Sequence, residues 1–270
     1  MQPLPNHACR LAVIIPALVS LSLLQGCSSQ GFNVTGYPYQ YDAVQLPETK
    51  KRLLLADVNF GYPSKTYLQQ YEGKVDGFVA ERLEEHGFEL VDDKPFSDAW
   101  RAATRKYGTP YNALTAQINR TTFQRVMYET ISTLRKDNIA DAVVFTDLVE
   151  IQVTFGSKLN RNAKWDGVTR KLRFKSGTQG VSPGFDWSQN VPAISLAINI
   201  YNVEGKRVLS NRGGIEVSRH ISALNGDGRF VRRTKLLKSS PHIREAVELA
   251  MHPLIPIENY PAPPSTAENQ

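Results

Sequence analysis

Two long stretches rich in apolar residues constrain the fold of this chain more than any other feature. The first, residues 139–155, begins with a run that is apolar on both faces and then alternates. The second, residues 191–203, alternates and is followed by Glu204-Gly205, a signal for a hairpin turn. Because successive side chains of a strand point to opposite faces, these patterns predict long antiparallel strands in a sheet.

Helices and further strands are predicted around these two stretches. Residues 53–58 predict a central strand covered on both faces, and residues 88–91 predict a short one. Apolar residues at three- and four-residue steps predict helices between Ser64 and Gly87, over 98–107, over 121–137 and from Ser240 to a stop at Pro253. This order predicts the α/β (α+β) class, as a single sandwich domain with a mixed sheet packed by helices over residues 51–255.

The first predicted helix carries two features that the periodicity does not explain. Gly73 and Gly77 are four residues apart and share a face, so we expect the helix to pack closely against the sheet there, with close approach to another subunit as the alternative. A charged cluster near its end, Glu81-Arg82 with Glu84-Glu85, is expected to be a solvated face rather than a site.

The amino terminus predicts export and a lipid anchor. Residues 11–24 form a run of 14 mostly apolar residues, too short for a membrane span but right for a secretory signal. The following Leu24-Gln25-Gly26-Cys27 resembles the lipobox of bacterial lipoproteins, in which the Cys thiol is acylated and becomes the new amino terminus. Residues 1–26 are then the signal peptide. The alternative is an ordinary signal peptide with an incidental Cys nearby.

The resemblance implies a lipid partner and a location. Acylated Cys27 would anchor the chain in lipid, since several acyl chains hold a protein stably on a bilayer. Ser28 and Ser29 follow the Cys, and the absence of Asp at the second position implies the outer membrane, with the domain facing the periplasm. Residues 27–50 are expected to be a flexible tether, and the Pro-rich residues 256–270 a disordered tail.

The search for chemistry-bearing motifs is negative. The sequence has no nucleophile elbow, zinc-protease helix, paired-cysteine motif or phosphate-binding loop. Its histidines lack metal-ligand spacing, and Asp92-Asp93 and residues 225–228 are interpreted as turns rather than cation sites. We therefore expect no catalytic residue, no metal and no cofactor. The net charge of +6 belongs to no recognisable nucleic-acid-binding module, so no nucleic-acid partner is expected.

A basic insertion, residues 156–190, separates the two long strand patterns. It holds seven Lys and Arg residues against two Asp, interleaved with aromatic residues, and could extend as a hairpin-like arm. Insertions of this length are usually functional or disordered. The residues predicted to bind an acidic partner, lipid headgroups or glycan are Arg161, Lys164, Arg170, Lys171, Arg173 and Lys175. The alternative is a solvated loop whose charges keep the protein soluble. A second basic cluster spans residues 229–238.

Beyond the lipobox, residues 52–221 resemble a group of envelope lipoproteins of the penicillin-binding-protein activator and curli-secretion-channel type. The shared pattern is the first strand and helix ending in Gly87-Phe88-Glu89-Leu90-Val91, the segment 140–144 that enters a long strand, and residues 196–208 with their hairpin turn. The resemblance implies a core like the amino-terminal domain of the Tol-system periplasmic protein.

Together these features predict a non-enzymatic outer-membrane lipoprotein that acts in cell-envelope assembly or regulation through protein–protein contacts. Its partner would be an envelope protein or another copy of the same chain. Two alternatives stay open. One is a ring-forming secretion or export component, and the other is a hydrolase of cell-wall or polysaccharide substrates, whose paired carboxylates need only meet in space.

Overall fold

Five helices and ten strands are assigned in a computed structural model, which describes residues 40–41, 51–56, 66–112, 117–155, 162–172, 184–222 and 228–257. All of them belong to one unit, Gly31–Gln270. In chain order the elements are β1 (Gln40–Tyr41), β2 (Arg52–Ala56), α1 (Thr66–Gln69), α2 (Glu72–Glu85), β3 (Glu89–Val91), α3 (Lys94–Tyr107), α4 (Arg120–Lys136), β4 (Ala142–Val153), β5 (Asn162–Trp165), β6 (Val168–Lys171), β7 (Val191–Asn202), β8 (Arg207–Val217), β9 (Arg219–Ser222), β10 (Arg229–Arg232) and α5 (Ser240–Met251).

The main sheet has six strands in the order β1-β8-β7-β4-β2-β3. The strands β4, β7 and β8 form an antiparallel meander, with Ala142 opposite Asn202 and Val153 opposite Val191 at the two ends of the β4–β7 pair. On the other side of β4 the strands β2 and β3 run parallel to it, joined through helices as parallel strands require. The sheet is therefore mixed, and the α/β prediction is confirmed.

Helices cover both faces of this sheet. On one face α2 and α5 pack on alternate residues of the central strands, among them Val144, Leu196 and Ile198. On the other face α3 and α4 pack on the residues between them, including Val143 and Phe145. The alternation predicted from the sequence thus separates two apolar cores, one on each side of the sheet.

A third apolar cluster lies beyond the ends of the long strands. The two-stranded sheets β5–β6 and β9–β10 contribute to it, together with Phe185 and Trp187 from the segment before β7. It also includes Val191 and Val217, which lie at the ends of β7 and β8. Aromatic rings stack within it, with the Phe155 and Phe230 centroids 6.0 Å apart. Part of the basic insertion is therefore core.

Most predicted elements are confirmed, but the explanation of the glycine pair in α2 is wrong. Gly73 and Gly77 are exposed, and a Cβ atom at either position would meet nothing within 4 Å. The close approach instead occurs in β8. A Cβ at Gly213 would overlap the Ala246 carbonyl oxygen of α5, and one at Gly214 would overlap the Val168 side chain. The sequence signal for this was a Gly-Gly pair inside a strand.

The predicted tether is not continuous, because β1 lies within residues 27–50. Gln40 pairs with Ser210 and Tyr41 with Leu209 of β8, so these two residues belong to the sheet. The predicted signal peptide, Cys27 and the tail from residue 258 onward lie outside the described residues. Within the described part of the chain, no helix has both the length and the hydropathy needed to cross a bilayer.

Candidate functional site

Three of the six basic residues predicted to bind a partner lie in the described structure. Lys164 is in β5, and Arg170 and Lys171 are in β6. The other three, Arg161, Arg173 and Lys175, lie outside the described residues, as do the four lipobox residues Leu24, Gln25, Gly26 and Cys27.

The β5–β6 hairpin is docked on the main sheet, so the expectation of a projecting arm is wrong for residues 162–172. Its inward residues Ala163, Trp165 and Val168 are at most 4% exposed. The turn between the strands is anchored as well, since the Gly214 amide donates to the Asp166 carbonyl at 2.9 Å. Apolar residues alternating with the charges bury one face of the hairpin.

Arg170 is a structural residue in this arrangement. Its Nε donates to the Ile215 carbonyl at 2.8 Å, and its guanidinium lies 2.7 Å from a carboxylate oxygen of Glu245 in α5. The side chains of Arg170 and Glu245 are only 12% and 14% exposed. The guanidinium is therefore occupied inside the fold and ties the hairpin to both β8 and α5, which corrects its predicted role in partner binding.

Asp166 forms the second polar anchor beneath the hairpin. Its carboxylate accepts a hydrogen bond from the Ser195 hydroxyl at 2.7 Å, and Trp165 Nε1 donates to that hydroxyl at 3.1 Å. Arg212 lies 3.5 Å from the other carboxylate oxygen. Burial raises the pKa of Asp166 above its ordinary value, although the Ser195 hydrogen bond and the charge of Arg212 oppose the shift.

Within the described hairpin, residues 162–172, the charges of Lys164 and Lys171 are exposed, and both residues lie on its solvent side. In the second basic cluster, Arg233 is also internal, because it lies 2.8 Å from Glu216 and donates to the Val217 carbonyl. The Arg232 guanidinium lies 4.4 Å from the centre of the Tyr67 ring, a cation–π geometry. The two basic segments thus supply structural cations as well as surface charge.

A groove between α2 and α5 was missed by reasoning from the sequence. Phe78 and Val247 form its apolar part, and the carboxylates of Glu81, Glu85 and Glu248 line it with the guanidinium groups of Arg82 and Arg244. Arg244 bonds Glu81 at 2.8 Å. The charged cluster near the end of α2, expected to be only a solvated face, therefore forms one wall of a concave surface.

The helices α3 and α4 on the other face of the sheet carry an exposed tyrosine beside arginines, which reasoning from the sequence also missed. Tyr128 of α4 is 74% exposed, which is unusual for so large an apolar side chain. Arg125 and Arg135 lie three residues before it and seven after it, so all three share the outward face of the helix. The signal in the sequence was a tyrosine out of phase with the buried positions of α4.

The predictions about metal and turn residues concern other parts of the surface. In the described residues no group of three or more His, Cys, Asp or Glu side chains is placed to hold a metal ion. Asp92 accepts a hydrogen bond from the Lys94 amide at 2.9 Å at the start of α3, in agreement with its interpretation as a turn residue. Residues 225–227 lie outside the described part.

Comparison with known proteins gives little further information. No protein-family model and no curated protein matches this chain. Among solved structures, the chain is similar to a PelC dodecamer from Paraburkholderia phytofirmans, with 11% sequence identity over 81% of this chain and 97% of that chain. The TM-score of that match is 0.28, a value too low to establish a shared fold.

Proposed function

We propose that the protein is a non-enzymatic lipoprotein, anchored by acylated Cys27 to the outer membrane and facing the periplasm, that acts in the cell envelope through protein–protein contacts. The observation that carries the proposal is the apolar run of residues 11–24 followed by Leu24-Gln25-Gly26-Cys27. In such a protein the lipid fixes the location, and the surface of the α/β domain supplies the contacts.

Three charged residues of this part of the chain are engaged inside the fold, which leaves other groups for contact with a partner. Arg170, Arg233 and Asp166 are each bonded within the fold and link separate elements to one another. The exposed surface offers other groups, among them Lys164 and Lys171 on the hairpin and Tyr128 on α4. A partner recognised by these groups would be acidic, with an apolar point of contact.

Substitution of the anchor residue tests the proposal. We expect Cys27→Ser to leave the protein unacylated and to move it from the membrane fraction to the soluble fraction, because the acyl chains supply the membrane affinity. Ser28→Ala, which keeps the thiol, is the matched control and should stay with the membrane. Cell fractionation and intact-mass measurement of both variants provide the readout. Membrane association of unacylated Cys27→Ser protein would refute the anchor.

A further inference from the structure

The helical layers on the two faces of the sheet carry opposite formal charge. The helices α2 and α5 together hold seven acidic and three basic residues, a formal charge of −4. The helices α3 and α4 hold two acidic and eight basic residues, a formal charge of +6. Since these pairs pack on opposite faces of one sheet, the domain has an acidic side and a basic side.

Most of the positive charge of the α3–α4 layer is not neutralised within the fold. Both acidic residues of the layer are paired inside it, Asp98 with Lys94 and Arg101, and Glu129 with Lys106. The remaining five cations have no ion-pair partner among the residues that the structure describes, and they are Arg105, Arg120, Arg125, Arg135 and Lys136. This layer therefore presents free positive charge to a partner.

Two of these cations belong to a stripe along the outward side of α4. We define this α4 stripe as Thr121, Arg125, Tyr128, Ser132 and Arg135, which recur at steps of four and three residues and therefore share one side of the helix. Ser132 is half-buried and the other four are exposed, Tyr128 to 74%. The stripe holds no carboxylate, and its length is about 21 Å. It is a straight, basic line of side chains with one aromatic ring near its middle.

The β5–β6 hairpin adds two exposed cations to the same side of the sheet. Trp165 Nε1 donates to the Ser195 hydroxyl, and Ser195 alternates along β7 with residues of the α2–α5 core. The hairpin therefore packs on the face that α3 and α4 cover, with Lys164 and Lys171 pointing to solvent.

The sheet is held close to the predicted lipid anchor. Gln40 of β1 pairs with β8, so residues 28–39 alone separate Cys27 from the main sheet. A connection of that length spans no more than about 45 Å even when fully extended. An acylated Cys27 would therefore keep the domain within reach of the bilayer surface, and the uneven distribution of charge would decide which side of the domain faces it.

We propose that the α4 stripe lies on the surface of the bilayer that holds Cys27, where its cations meet anionic phospholipid headgroups. This inference rests on the proposed lipid anchor and adds a second, weaker membrane contact to it. Cations near an anionic bilayer are attracted by its negative surface potential, whereas the α2–α5 layer, with its charge of −4, is repelled and faces away. Tyr128 lies at the level of the headgroups, where tyrosine is enriched because its ring is apolar and its hydroxyl polar.

A bilayer fits the α4 stripe better than an acidic protein does. Arg125 and Arg135 are separated by about 15 Å along the helix, which suits headgroups spread over a plane rather than one cluster of carboxylates. Protein interfaces depend on several clustered aromatic or apolar side chains. In the described part of the chain, however, Tyr128 is the one large apolar side chain that is exposed. With the stripe on the membrane, the α2–α5 side stays available to a protein partner.

Cosedimentation with vesicles tests the contact in the absence of acyl chains. The protein is residues 28–270, the chain that follows Cys27, which contains all the described elements. The vesicles are phosphatidylglycerol and phosphatidylethanolamine in equal parts, or phosphatidylcholine alone as the control without net charge. We expect binding to the anionic vesicles at low ionic strength, binding at least about tenfold weaker to the neutral ones, and release as salt is added, because salt screens surface charges. For the same reason this contact alone does not hold Cys27→Ser protein on membranes during fractionation at physiological ionic strength.

Charge reversal locates the contact. Arg125→Glu with Arg135→Glu should lower the affinity for the anionic vesicles at least about tenfold. Lys235→Glu with Lys238→Glu is the matched control, because it makes the same change in net charge at exposed positions that flank Leu236 and Leu237 of the α2–α5 core. This control should bind within about threefold of the unsubstituted chain.

The aromatic residue of the stripe is tested separately. Tyr128→Ala should weaken vesicle binding at least about threefold, whereas Tyr128→Trp should retain it, since tryptophan also favours the headgroup level. Neither change should lower the melting temperature, because Tyr128 is 74% exposed. Circular dichroism and melting temperatures of all variants show whether each one folds.

Four outcomes would overturn this inference. They are no binding to anionic vesicles at low ionic strength, equal binding to anionic and neutral vesicles, unchanged binding of the Arg125 and Arg135 variant, and an equal loss in the Lys235 and Lys238 control. Absence of vesicle binding together with cross-linking from position 128 to an acidic envelope protein would assign the α4 stripe to a protein instead. A chain that is acylated at Cys27 in cells but binds no anionic vesicles as residues 28–270 refutes the inference alone. A chain that binds these vesicles but is unacylated in cells refutes the proposed function alone.

Discussion

At the scale of single residues, two adjacent glycines decide how closely the layers approach. Gly213 faces α5 and Gly214 faces the β5–β6 hairpin. A side chain at Gly213 would overlap α5, and a side chain at Gly214 would overlap the hairpin. The nearest atoms to a Cβ at Gly213 are backbone atoms of Ala246, which cannot move without displacing the helix. The absence of a side chain there is a packing requirement.

We therefore expect Gly213→Ala to lower the free energy of unfolding by about 3 kcal/mol, because it forces α5 away from β8. Gly77→Ala is the matched control. It adds the same methyl group to the exposed surface of α2, where nothing lies within 4 Å, and should stabilise the protein by about 0.5–1 kcal/mol through helix propensity. Denaturant unfolding measures both. Equal effects of the two substitutions would contradict the assigned packing.

Asp166 makes a prediction about pH. Burial raises the pKa of its carboxyl in the folded protein, so its negative charge is disfavoured there relative to the unfolded chain. The contribution of Asp166 to stability is therefore greatest below its unfolded pKa and is lost as the pH rises through the folded pKa. The amide of Asp166→Asn does not titrate but can still accept the Ser195 hydrogen bond.

We expect the free energy of unfolding of wild type, measured relative to Asp166→Asn, to fall as the pH is raised from about 3 towards neutrality. Denaturant titrations of both proteins at a series of pH values give this difference, and the other titrating groups cancel from it. A difference that rises with pH would show instead that Arg212 and Ser195 stabilise the charged carboxylate more than burial disfavours it.

At the scale of elements, the β5–β6 hairpin shows what the pattern of charges does and does not determine. The sequence predicted a basic, hairpin-like insertion, and the strands 162–165 and 168–171 are present. It did not predict that the hairpin packs inward with Arg170, because by residue type Arg170 and Lys171 are both simply basic residues of the insertion. The two cations differ in what they contact: Arg170 reaches the Ile215 carbonyl and Glu245, which is 75 residues away, whereas Lys171 is exposed.

This difference predicts opposite results for neighbouring substitutions. Arg170→Ala should lower the free energy of unfolding by about 3–5 kcal/mol, since it leaves the carboxylate of Glu245 without its partner in a largely buried position. Lys171→Ala, on the exposed side, should change it by no more than about 0.5 kcal/mol. Replacing both partners, as Arg170→Met with Glu245→Leu, should cost less than Arg170→Ala alone. Thermal and denaturant unfolding test all three, and equal costs for Arg170→Ala and Lys171→Ala would show that the hairpin is not anchored through Arg170.

At the scale of the whole molecule, the main feature is the division of charge across the sheet. The net charge of +6 is modest and indicates little about partners. Its separation into an acidic layer of α2 and α5 and a basic layer of α3 and α4 gives the domain two surfaces with different binding preferences.

The sequence by itself determined the α/β class and most element boundaries, because each depends on local spacing, namely periods of two and 3.6 residues and turn signals. The lipid anchor at Cys27 stays a prediction from the short apolar run before that residue. The tertiary structure alone decided which cation of the hairpin is internal, which glycines are close-packed and which helices share a face. Those properties depend on contacts between residues distant in the chain, such as Arg170 with Glu245 and Gly213 with Ala246, and local spacing carries no information about them.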